Sequence, residues 1–232
     1  SRKRLMLVLK RLDQTLSNLG YCSRREVRYL IKNKRLRIDG ELATNAAQKV
    51  DPNAVSIDGQ PLEHIGNILI MLHKPLGYVC SHDSSEGPRI YDLLPTIWQA
   101  RNPQVVSIGR LDKETSGLIL VTDQSALVQQ LTSPKHHVDK VYVVTVDQVL
   151  NSDIIEQFAQ GIALESETTP CLPATLEIVD PYTAKVTLNE GKYHQVRRMF
   201  AACGYHVTAL HREKFGEYIL GDLPIGEWRD LL

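Results

Sequence analysis

The chain has 232 residues, of which 43% are hydrophobic and 23% are charged, so it can form one large domain or a large domain with a small satellite. No apolar run approaches the roughly 18 residues of a membrane-spanning helix. Residues 1–10 are too short in their apolar part for a signal peptide, and we interpret them as a terminal extension. The four cysteines lack Cys-x-x-Cys spacing, which argues against a zinc site or a disulfide framework and favours a reducing cytoplasm.

Charge is unevenly distributed along the chain. Residues 1–66 contain 13 Lys and Arg against 7 Asp and Glu, whereas residues 67–232 contain 14 against 20, although the net charge of the whole chain is zero. A basic segment attached to a neutral or acidic body is typical of a nucleic-acid-binding module. Composition leaves open the alternative that the basic segment is only a solvated surface.

The first predicted elements form a small basic module over residues 11–60. Ser23 and Glu26 have the spacing of a capping box, so we predict a helix from Arg24 to Asn33 that packs on a preceding helix. This helix would expose a basic face made by Arg24, Arg25, Arg28 and Lys32. Residues 36–41 and 55–60 each place Asp-Gly after an alternating run, which predicts two hairpins.

The basic module resembles the S4 RNA-binding domain over about residues 11–58. The resemblance depends on Arg11-Leu12-Asp13, on Ser23-Arg24-Arg25 and on Leu36-Arg37-Ile38-Asp39-Gly40. It implies that the basic face meets the RNA backbone, and such contacts position RNA without reading its sequence. A helix whose arginines are merely solvated is the alternative.

Residues 61–67 are predicted to be a linker, and residues 68–232 are predicted to form a larger second domain. We predict strands at 68–72, 105–108, 118–121, 140–146, 176–179, 184–188 and 207–210, and helices at 125–131, 153–160 and 191–203. Helices inserted between mostly antiparallel strands indicate an α+β fold, in which a small S4-like α/β domain precedes a larger, mostly antiparallel mixed sheet. The adjacent His136 and His137 lack a third ligand at metal-binding spacing, so no metal site is predicted.

The loop from Arg110 to Glu114 joins two predicted strands and carries the main candidate for chemistry, Asp112. Further along the chain, Lys140 and Tyr142 share one face of a predicted strand. His194 and Arg197 follow near the start of a predicted helix. Each side chain also has a structural alternative, such as a packed aromatic ring for Tyr142 or a surface charge for Arg197.

Taken together, these motifs resemble those of the pseudouridine synthases. In chain order they are Gly109-Arg110-Leu111-Asp112-x-x-Thr115-Ser116-Gly117-Leu118, Lys140-x-Tyr142 and Gly191-x-x-His194-Gln195-Val196-Arg197-Arg198-Met199, and the turn Lys74-Pro75-x-Gly77 also fits. The Arg-Arg-Met sequence and the S4 module are similar to the branch of the family that modifies ribosomal RNA, and the short C-terminus is similar to its small-subunit enzymes. The resemblance covers about residues 11–230.

The resemblance implies that a specific uridine of 16S small-subunit ribosomal RNA is isomerised to pseudouridine, without a cofactor. It assigns catalysis to Asp112, Tyr142 and Arg197, and leaves open whether Asp112 attacks C1′, attacks C6 or abstracts a proton. A guanidinium beside Asp112 would keep the carboxylate ionised, and Arg197 matches the family's basic partner. The remaining substrate contacts are expected from a basic set, Lys74, Arg110, Lys140 and His194, with Arg110 supporting the flipped-out nucleotide.

Three other functions remain open at this point. The first is a pseudouridine synthase of the same family that acts on 23S ribosomal RNA. The second is a non-catalytic ribosome-assembly factor, which would predict damage to the catalytic residues, all of which are intact. The third is an aspartate-nucleophile glycosidase, which would need a second carboxylate such as Glu114 or Asp123. The expected partner is ribosomal RNA or an assembling small subunit, and we expect a cytoplasmic monomer without membrane contact.

Overall fold

The chain folds into two units, which the computed structural model describes over residues 8–232. The first unit contains the residues up to Ile68 together with Leu94–Val106, and the second contains Leu69–Leu93 and Ser107–Leu232. The segment 94–106, which the sequence assigned to the larger domain, therefore belongs to the first unit. Most of the predicted extension over residues 1–10 lies outside the described residues.

The first unit is built around a small sheet and two short helices. Its elements are β1 (Lys10–Arg11), α1 (Leu12–Asn18), α2 (Val27–Lys32), β2 (Leu36–Ile38), β3 (Glu41–Leu42), β4 (Lys49–Val50), β5 (Val55–Ile57) and β6 (Gln60–Pro61), with 3-10 turns at Pro52–Ala54 and Thr96–Ala100. The four-stranded sheet has the order β3-β2-β5-β6, and β1 pairs with β4. Leu12, Leu16, Val27 and Leu36 are fully buried in the core of this unit.

Local contacts explain where these elements begin and turn. Both predicted hairpins are present, because each Asp-Gly supplies a positive φ at both central positions of the turn, 51° and 82° at Asp39-Gly40 and 52° and 81° at Asp58-Gly59. The predicted start of the basic helix is wrong by three residues. The Glu26 N–H bonds to the Ser23 carbonyl and hydroxyl in a turn, and the regular helix begins only at Val27.

Two backbone contacts tie the returning segment 94–106 to the rest of the first unit. The Asn102 N–H donates to the Asn18 carbonyl at 3.0 Å. Gly20 has a φ of 91° and lies so close to the Ile97 carbonyl that no side chain would fit there. The end of α1 and the segment 94–106 are therefore packed backbone against backbone.

The second unit is organised on one mixed sheet. Its elements are β7 (Leu69–Lys74), β9 (Thr115–Thr122), α3 (Ser125–Thr132), β10 (Lys140–Val146), α4 (Asp153–Gln160), β11 (Thr175–Asp180), β12 (Thr183–Leu188), α5 (Gln195–Ala202), β13 (Val207–Phe215), β14 (Tyr218–Ile219) and β15 (Trp228–Asp230). Short 3-10 turns lie at Ser84–Glu86, Ile90–Leu93 and Pro134–His136. The two-residue strand β8 (Val106–Ser107) contains the last residue of the first unit and a residue of the second. The main strand order is β11-β12-β10-β13-β9-β7-β15. Every neighbouring pair in this order is antiparallel except β13 and β9, so the predicted α+β class is confirmed.

Most predicted elements differ from the structure by a few residues in their bounds, and two of these differences affect the candidate site. Strand β13 continues to Phe215, five residues beyond the predicted end. The helix predicted from Gly191 begins only at Gln195, because His194 adopts a left-handed backbone conformation with a φ of 46° and ψ of 38°. Both differences place additional polar side chains at the same end of the sheet.

Apolar side chains fix the helices of the second unit on the sheet. Phe158 of α4 and Phe200 of α5 are fully buried, and their ring centroids lie 5.0 Å apart. They share a core with Val144 of β10 and Ala184 of β12. This packing sets the position of α5, whose first turn reaches the candidate site. In the part of the chain that the structure describes, no helix is both long and apolar enough to cross a membrane.

Candidate active site

Asp112 lies in the loop before β9, with its backbone fixed and its side chain about half exposed (45%). The preceding residue, Leu111, is buried, and the Cys80 Sγ lies 3.4 Å from its nitrogen and 3.5 Å from its carbonyl oxygen. On the other side, the Thr115 N–H donates to the Asp112 carbonyl at 3.0 Å. The loop therefore presents the Asp112 carboxylate from a constrained backbone.

The Lys74–Gly77 turn forms hydrogen bonds with the backbone of residues 113–115, which follow Asp112 in the same loop. The Gly77 N–H donates to the Lys113 carbonyl at 2.8 Å. Lys74 is fully buried, and its Nζ donates to the carbonyls of Thr115 at 2.7 Å, Pro75 at 3.0 Å and Lys113 at 3.3 Å. Burial lowers the pKa of Lys74 to about 8, so the group is charged at neutral pH and its three protons match three acceptors. The Lys74 ammonium group positions the loop in this structure, and its contact with RNA stays a prediction.

Lys74→Met is expected to lower both stability and turnover. It leaves the buried Thr115 carbonyl without this donor, which costs roughly 1–3 kcal/mol, and it also removes a donor from the Pro75 and Lys113 carbonyls. We therefore expect a loss of about 2–4 kcal/mol in unfolding free energy and a fall in kcat/KM of about tenfold or more. Denaturant unfolding and initial rates would measure the two effects. Lys113→Met is a matched control, since within residues 8–232 the exposed Lys113 ammonium group donates to the Glu86 carbonyl. Wild-type stability in Lys74→Met would contradict the positioning role.

A pocket of about 760 Å³ opens beside Asp112 in the second unit. Its wall includes every predicted catalytic or substrate-binding residue of this unit except Lys74, namely Arg110, Asp112, Lys140, Tyr142, His194 and Arg197. These side chains come from the Asp112 loop, from β10 and from the start of α5. Among residues 8–232, no three His, Cys, Asp or Glu side chains are grouped so that they could hold a metal ion.

His194 is the side chain that approaches the Asp112 carboxylate, with Nε2 3.3 Å from Oδ1. Its left-handed backbone directs the chain into α5. The ring of Tyr193, which is 74% exposed, stacks on the His194 ring with centroids 3.9 Å apart and planes at 15°. The histidine is thereby held between an aromatic ring and the carboxylate at the wall of the pocket.

Arg197 does not form the ion pair with Asp112 that the sequence predicted, although both residues line the same pocket. Its Nη2 donates to the Glu114 carbonyl at 3.0 Å, and its Nη1 lies 3.5 Å from the Val207 carbonyl. The guanidinium is therefore engaged by backbone oxygens of the same loop and of β13. It fixes the Glu114 carbonyl two residues beyond Asp112 while it still lines the pocket.

Lys140 and Tyr142 project from β10 into the pocket, as the period of the strand predicts. The Lys140 Nζ donates to the Glu190 carbonyl at 3.1 Å. Burial lowers the pKa of Lys140, and the nearby positive charge of Arg212 lowers it further. Tyr142 is half-buried and also packs against the core, so its ring is held in place.

Comparison with known proteins identifies the family. Residues 68–202 match the family model described as RNA pseudouridylate synthase, and residues 10–56 match the model of the S4 domain. The chain belongs to the RNA pseudouridylate synthase family. Both resemblances found in the sequence are thereby confirmed, and this pseudouridine synthase carries an N-terminal S4 domain.

Relatives of this synthase match it over nearly its full length. Proteins named ribosomal small subunit pseudouridine synthase A from Escherichia coli K12 and Yersinia pestis are 42% and 41% identical over 226 residues, which is 95% of this chain and 96% and 94% of theirs. A solved structure described as a pseudouridylate synthase is 36% identical, covers 96% of each chain and has a TM-score of 0.66.

The basic face predicted for the S4 domain is exposed. Arg25, Arg28 and Lys32 are exposed and have no side-chain partner within residues 8–232. Arg24 is also exposed, but its Nη2 lies 3.6 Å from the carboxylate of the buried Asp13. Three of the four predicted RNA contacts are therefore unoccupied by protein groups.

Two further arginines of the synthase domain, Arg198 of the third motif and Arg212, were not among the predicted site residues. Arg198 donates to the Glu167 carboxylate at 3.0 Å and to the carbonyls of Glu165 and Tyr193 at 2.7 and 2.9 Å, so it ties an adjacent loop to the start of α5. Arg212 is buried in the pocket wall. Extending the alternation of β13 by one step places Arg212 on the same face as Leu210, and this was the signal available in the sequence.

Proposed function

We propose that the protein isomerises a uridine of 16S small-subunit ribosomal RNA to pseudouridine. The observation that carries this proposal is the 40–42% identity, over 95% of the chain, to proteins named ribosomal small subunit pseudouridine synthase A. The S4 domain supports an RNA substrate. A pocket with a carboxylate, an aromatic ring and several cations supports chemistry on a nucleotide.

The reaction breaks the N1–C1′ bond of uridine and joins C5 to C1′. A stacked or paired base hides these atoms, so the nucleotide must be flipped into the pocket. Asp112 is the proposed nucleophile or base, because its carboxylate is accessible while its backbone is constrained. Tyr142 is the proposed stacking surface for the uracil ring, and its hydroxyl is the proposed acceptor of the C5 proton.

The surrounding polar groups have supporting roles in this proposal. His194 orients the Asp112 carboxylate through the contact at 3.3 Å. Arg197 acts on Asp112 through the Glu114 carbonyl, which it holds at 3.0 Å. Arg110 and Lys140 are proposed to contact the flipped nucleotide, since both line the pocket with a positive charge.

Mapping of pseudouridine in ribosomal RNA from cells with and without the protein tests the substrate. We expect one 16S position to lose its modification and to regain it with the wild-type protein but not with Asp112→Asn. A loss confined to 23S RNA would transfer the proposal to the large subunit. Unchanged modification of both RNAs, with RNA binding retained, would favour a non-catalytic assembly factor.

Removing the basic face of the S4 domain is expected to weaken RNA binding without preventing folding. Combined replacement of Arg25, Arg28 and Lys32 by Gln should reduce the slope of log K against log salt by about 0.7–0.9 for each phosphate that the protein no longer neutralises. Point substitutions are preferred to deletion of the domain, because segment 94–106 belongs to the same unit. Arg35→Gln is the control, since Arg35 already pairs with Asp58 at 2.7 Å. A slope equal to that of wild type would show that this helix does not meet the backbone.

We also infer that the enzyme acts as a monomer in the cytoplasm. The proposed substrate is ribosomal RNA or an assembling small subunit, which supports a cytoplasmic location. Light scattering with and without RNA is expected to give the mass of one chain, and a stable dimer in dilute solution would contradict the monomer.

A further inference from the structure

Arg212 is a buried cation whose side chain is only partly used by the protein. It is 2% exposed, and its Nε donates to the Leu118 carbonyl at 2.9 Å. Its Nη2 is buried and has no hydrogen-bond partner, and within residues 8–232 the guanidinium has no salt bridge. The ring of Phe215 lies 4.9 Å below it. Burying a charge without a carboxylate partner is costly. We therefore expect a bound ligand to supply the hydrogen-bond acceptor that the Arg212 guanidinium lacks.

Two more polar groups in the same pocket lack a hydrogen-bond partner. They are the Thr115 Oγ1, in a residue that is 2% exposed, and the buried Asn189 Oδ1. Asn189 follows β12, Arg212 lies on β13 and Thr115 begins β9, and these strands have the order β12-β10-β13-β9. Arg212 is directly opposite Tyr142 in the register of β10 and β13. The unpartnered groups are therefore distributed on both sides of the strand that carries the proposed stacking ring.

The charge of the pocket favours an electron-rich ligand. Its wall contains two carboxylates, Asp112 and Glu190, against the cationic side chains of Arg110, Lys140, Lys192, Arg197 and Arg212. A uracil ring presents carbonyl oxygens at C2 and C4 on either side of an N3–H group. An arginine can only donate hydrogen bonds. It matches a uracil carbonyl and mismatches the 4-amino group of cytosine.

We propose that Arg212 hydrogen-bonds the O4 carbonyl oxygen of the target uracil and thereby selects uracil over cytosine, which carries an amino group at that position. This inference rests on the proposed function, since it assumes that a uridine enters the pocket. Recognition by a buried donor is effective because an analogue without the acceptor leaves the donor unpaired.

The same contact stabilises the charge that develops on the base. When the N1–C1′ bond breaks, its electron pair stays on the uracil and is spread onto O2 and O4. The ring then rotates, an electron pair of the ring forms the C5–C1′ bond, C5 loses a proton and N1 gains one, so no oxidant or reductant is needed. Addition of Asp112 at C6 would also place negative charge on O4. A fixed guanidinium at O4 lowers the barrier in both cases.

Sulfur substitution in the substrate tests the contact. Wild type, Arg212→Met and Arg212→Lys are assayed on RNA oligonucleotides that carry uridine, 2-thiouridine or 4-thiouridine at the modified position. We expect Arg212→Met to lower kcat/KM on uridine by about 10- to 100-fold, the size expected for removal of a charged hydrogen bond, and Arg212→Lys to recover part of this loss. Sulfur at the contacted carbonyl should lower the rate of wild type, whereas Arg212→Met should show little further loss.

The outcomes separate recognition from a structural role. If both thio substitutions slow wild type and Arg212→Met by the same factors, or if Arg212→Met keeps wild-type activity on uridine, the inference is overturned. If Arg212→Met does not fold, the same comparison is made with the neutral variant Arg212→Gln, and an unchanged thio pattern in that variant overturns the inference. Arg101→Lys is the matched control, because Arg101 is 8% exposed, donates to the His64 and Gly66 carbonyls and lies in the first unit.

The substrate proposal fails independently of this inference. If wild type modifies a uridine outside 16S RNA, the oligonucleotides are built around that uridine, and only the substrate proposal is overturned. If wild type forms no pseudouridine in any RNA, both are overturned. A second readout uses the Asp112→Asn background, in which RNA with uridine at the target position should bind more tightly than RNA with cytidine. Arg212→Met should remove most of that preference, and Arg212→Lys should keep part of it.

Discussion

Asp112→Asn is expected to reduce pseudouridine formation by about 1,000-fold or more, equivalent to a barrier increase of ~4 kcal/mol. The amide is neutral and can act neither as nucleophile nor as base. The side chain is 45% exposed and its partner within the described chain is His194, so the fold and the RNA affinity should be nearly unchanged. Single-turnover rates of pseudouridine formation on an RNA oligonucleotide that contains the target uridine would measure the loss of activity. A binding isotherm with the same oligonucleotide would measure the RNA affinity.

A neighbouring carboxylate provides the control for Asp112. Glu114 lies in the same loop, and it is the Glu114 backbone carbonyl, not its carboxylate, that bonds to Arg197. Glu114→Gln should therefore stay within a few-fold of wild type. Activity of Asp112→Asn within about tenfold of wild type, a difference of only ~1.4 kcal/mol, would exclude an essential role for the carboxylate. A large loss in Glu114→Gln would show that a second carboxylate of the loop takes part in the reaction.

Gly117→Ala is expected to destabilise the synthase domain by about 3–5 kcal/mol, in the range typical of strain and overpacking. Gly117 has a φ of 115° where β9 pairs with β13, and a Cβ there would overlap the Arg212 carbonyl oxygen and lie 2.7 Å from the Arg212 nitrogen. Backbone on both strands would have to move, because the strands are held by their register. Urea unfolding followed by circular dichroism measures the change.

Gly191→Ala is the matched control for this substitution. Gly191 has no left-handed φ, and the nearest atom to an added Cβ is the Lys140 Nζ at 3.7 Å. A change within about 0.5 kcal/mol is expected. Equal destabilisation of the two variants would mean that the contact between β9 and β13 is not as tight as the structure indicates.

Local sequence signals predicted most of the elements. Strand β10 has the bounds that its alternation predicts, and both Asp-Gly hairpins are present because their turn chemistry lies in adjacent residues. The predicted start of α5 was wrong because a non-glycine residue, His194, adopts a left-handed backbone conformation that no local sequence pattern requires. Helix α2 begins after its predicted start because Ser23 and Glu26 form their hydrogen bond within a turn that precedes the helix.

The candidate site was predicted in its residues but only partly in its contacts. The family resemblance grouped six residues from separate motifs, and the structure places all six in the wall of one pocket. The burial of Lys74 could not be predicted, because its acceptors include residues some forty positions away in the chain. The pairing of Arg197 with carbonyls in place of Asp112 has the same origin, as does the unpartnered Nη2 of Arg212. Long-range geometry decides these contacts, and a single sequence does not encode it in any local period.

The return of segment 94–106 to the first unit also affects how the chain can fold during its synthesis. Domains generally fold as units from the N-terminus as the chain leaves the ribosome. Here the residues that complete the first unit emerge only after β7 of the second unit, and β7 then waits for its partners β9 and β15. A nascent chain arrested at Leu93 would hold both units unfinished, with both edges of β7 unpaired. The syntheses of the two units therefore overlap in time. Part of the second unit is already made before the last segment of the first unit leaves the ribosome.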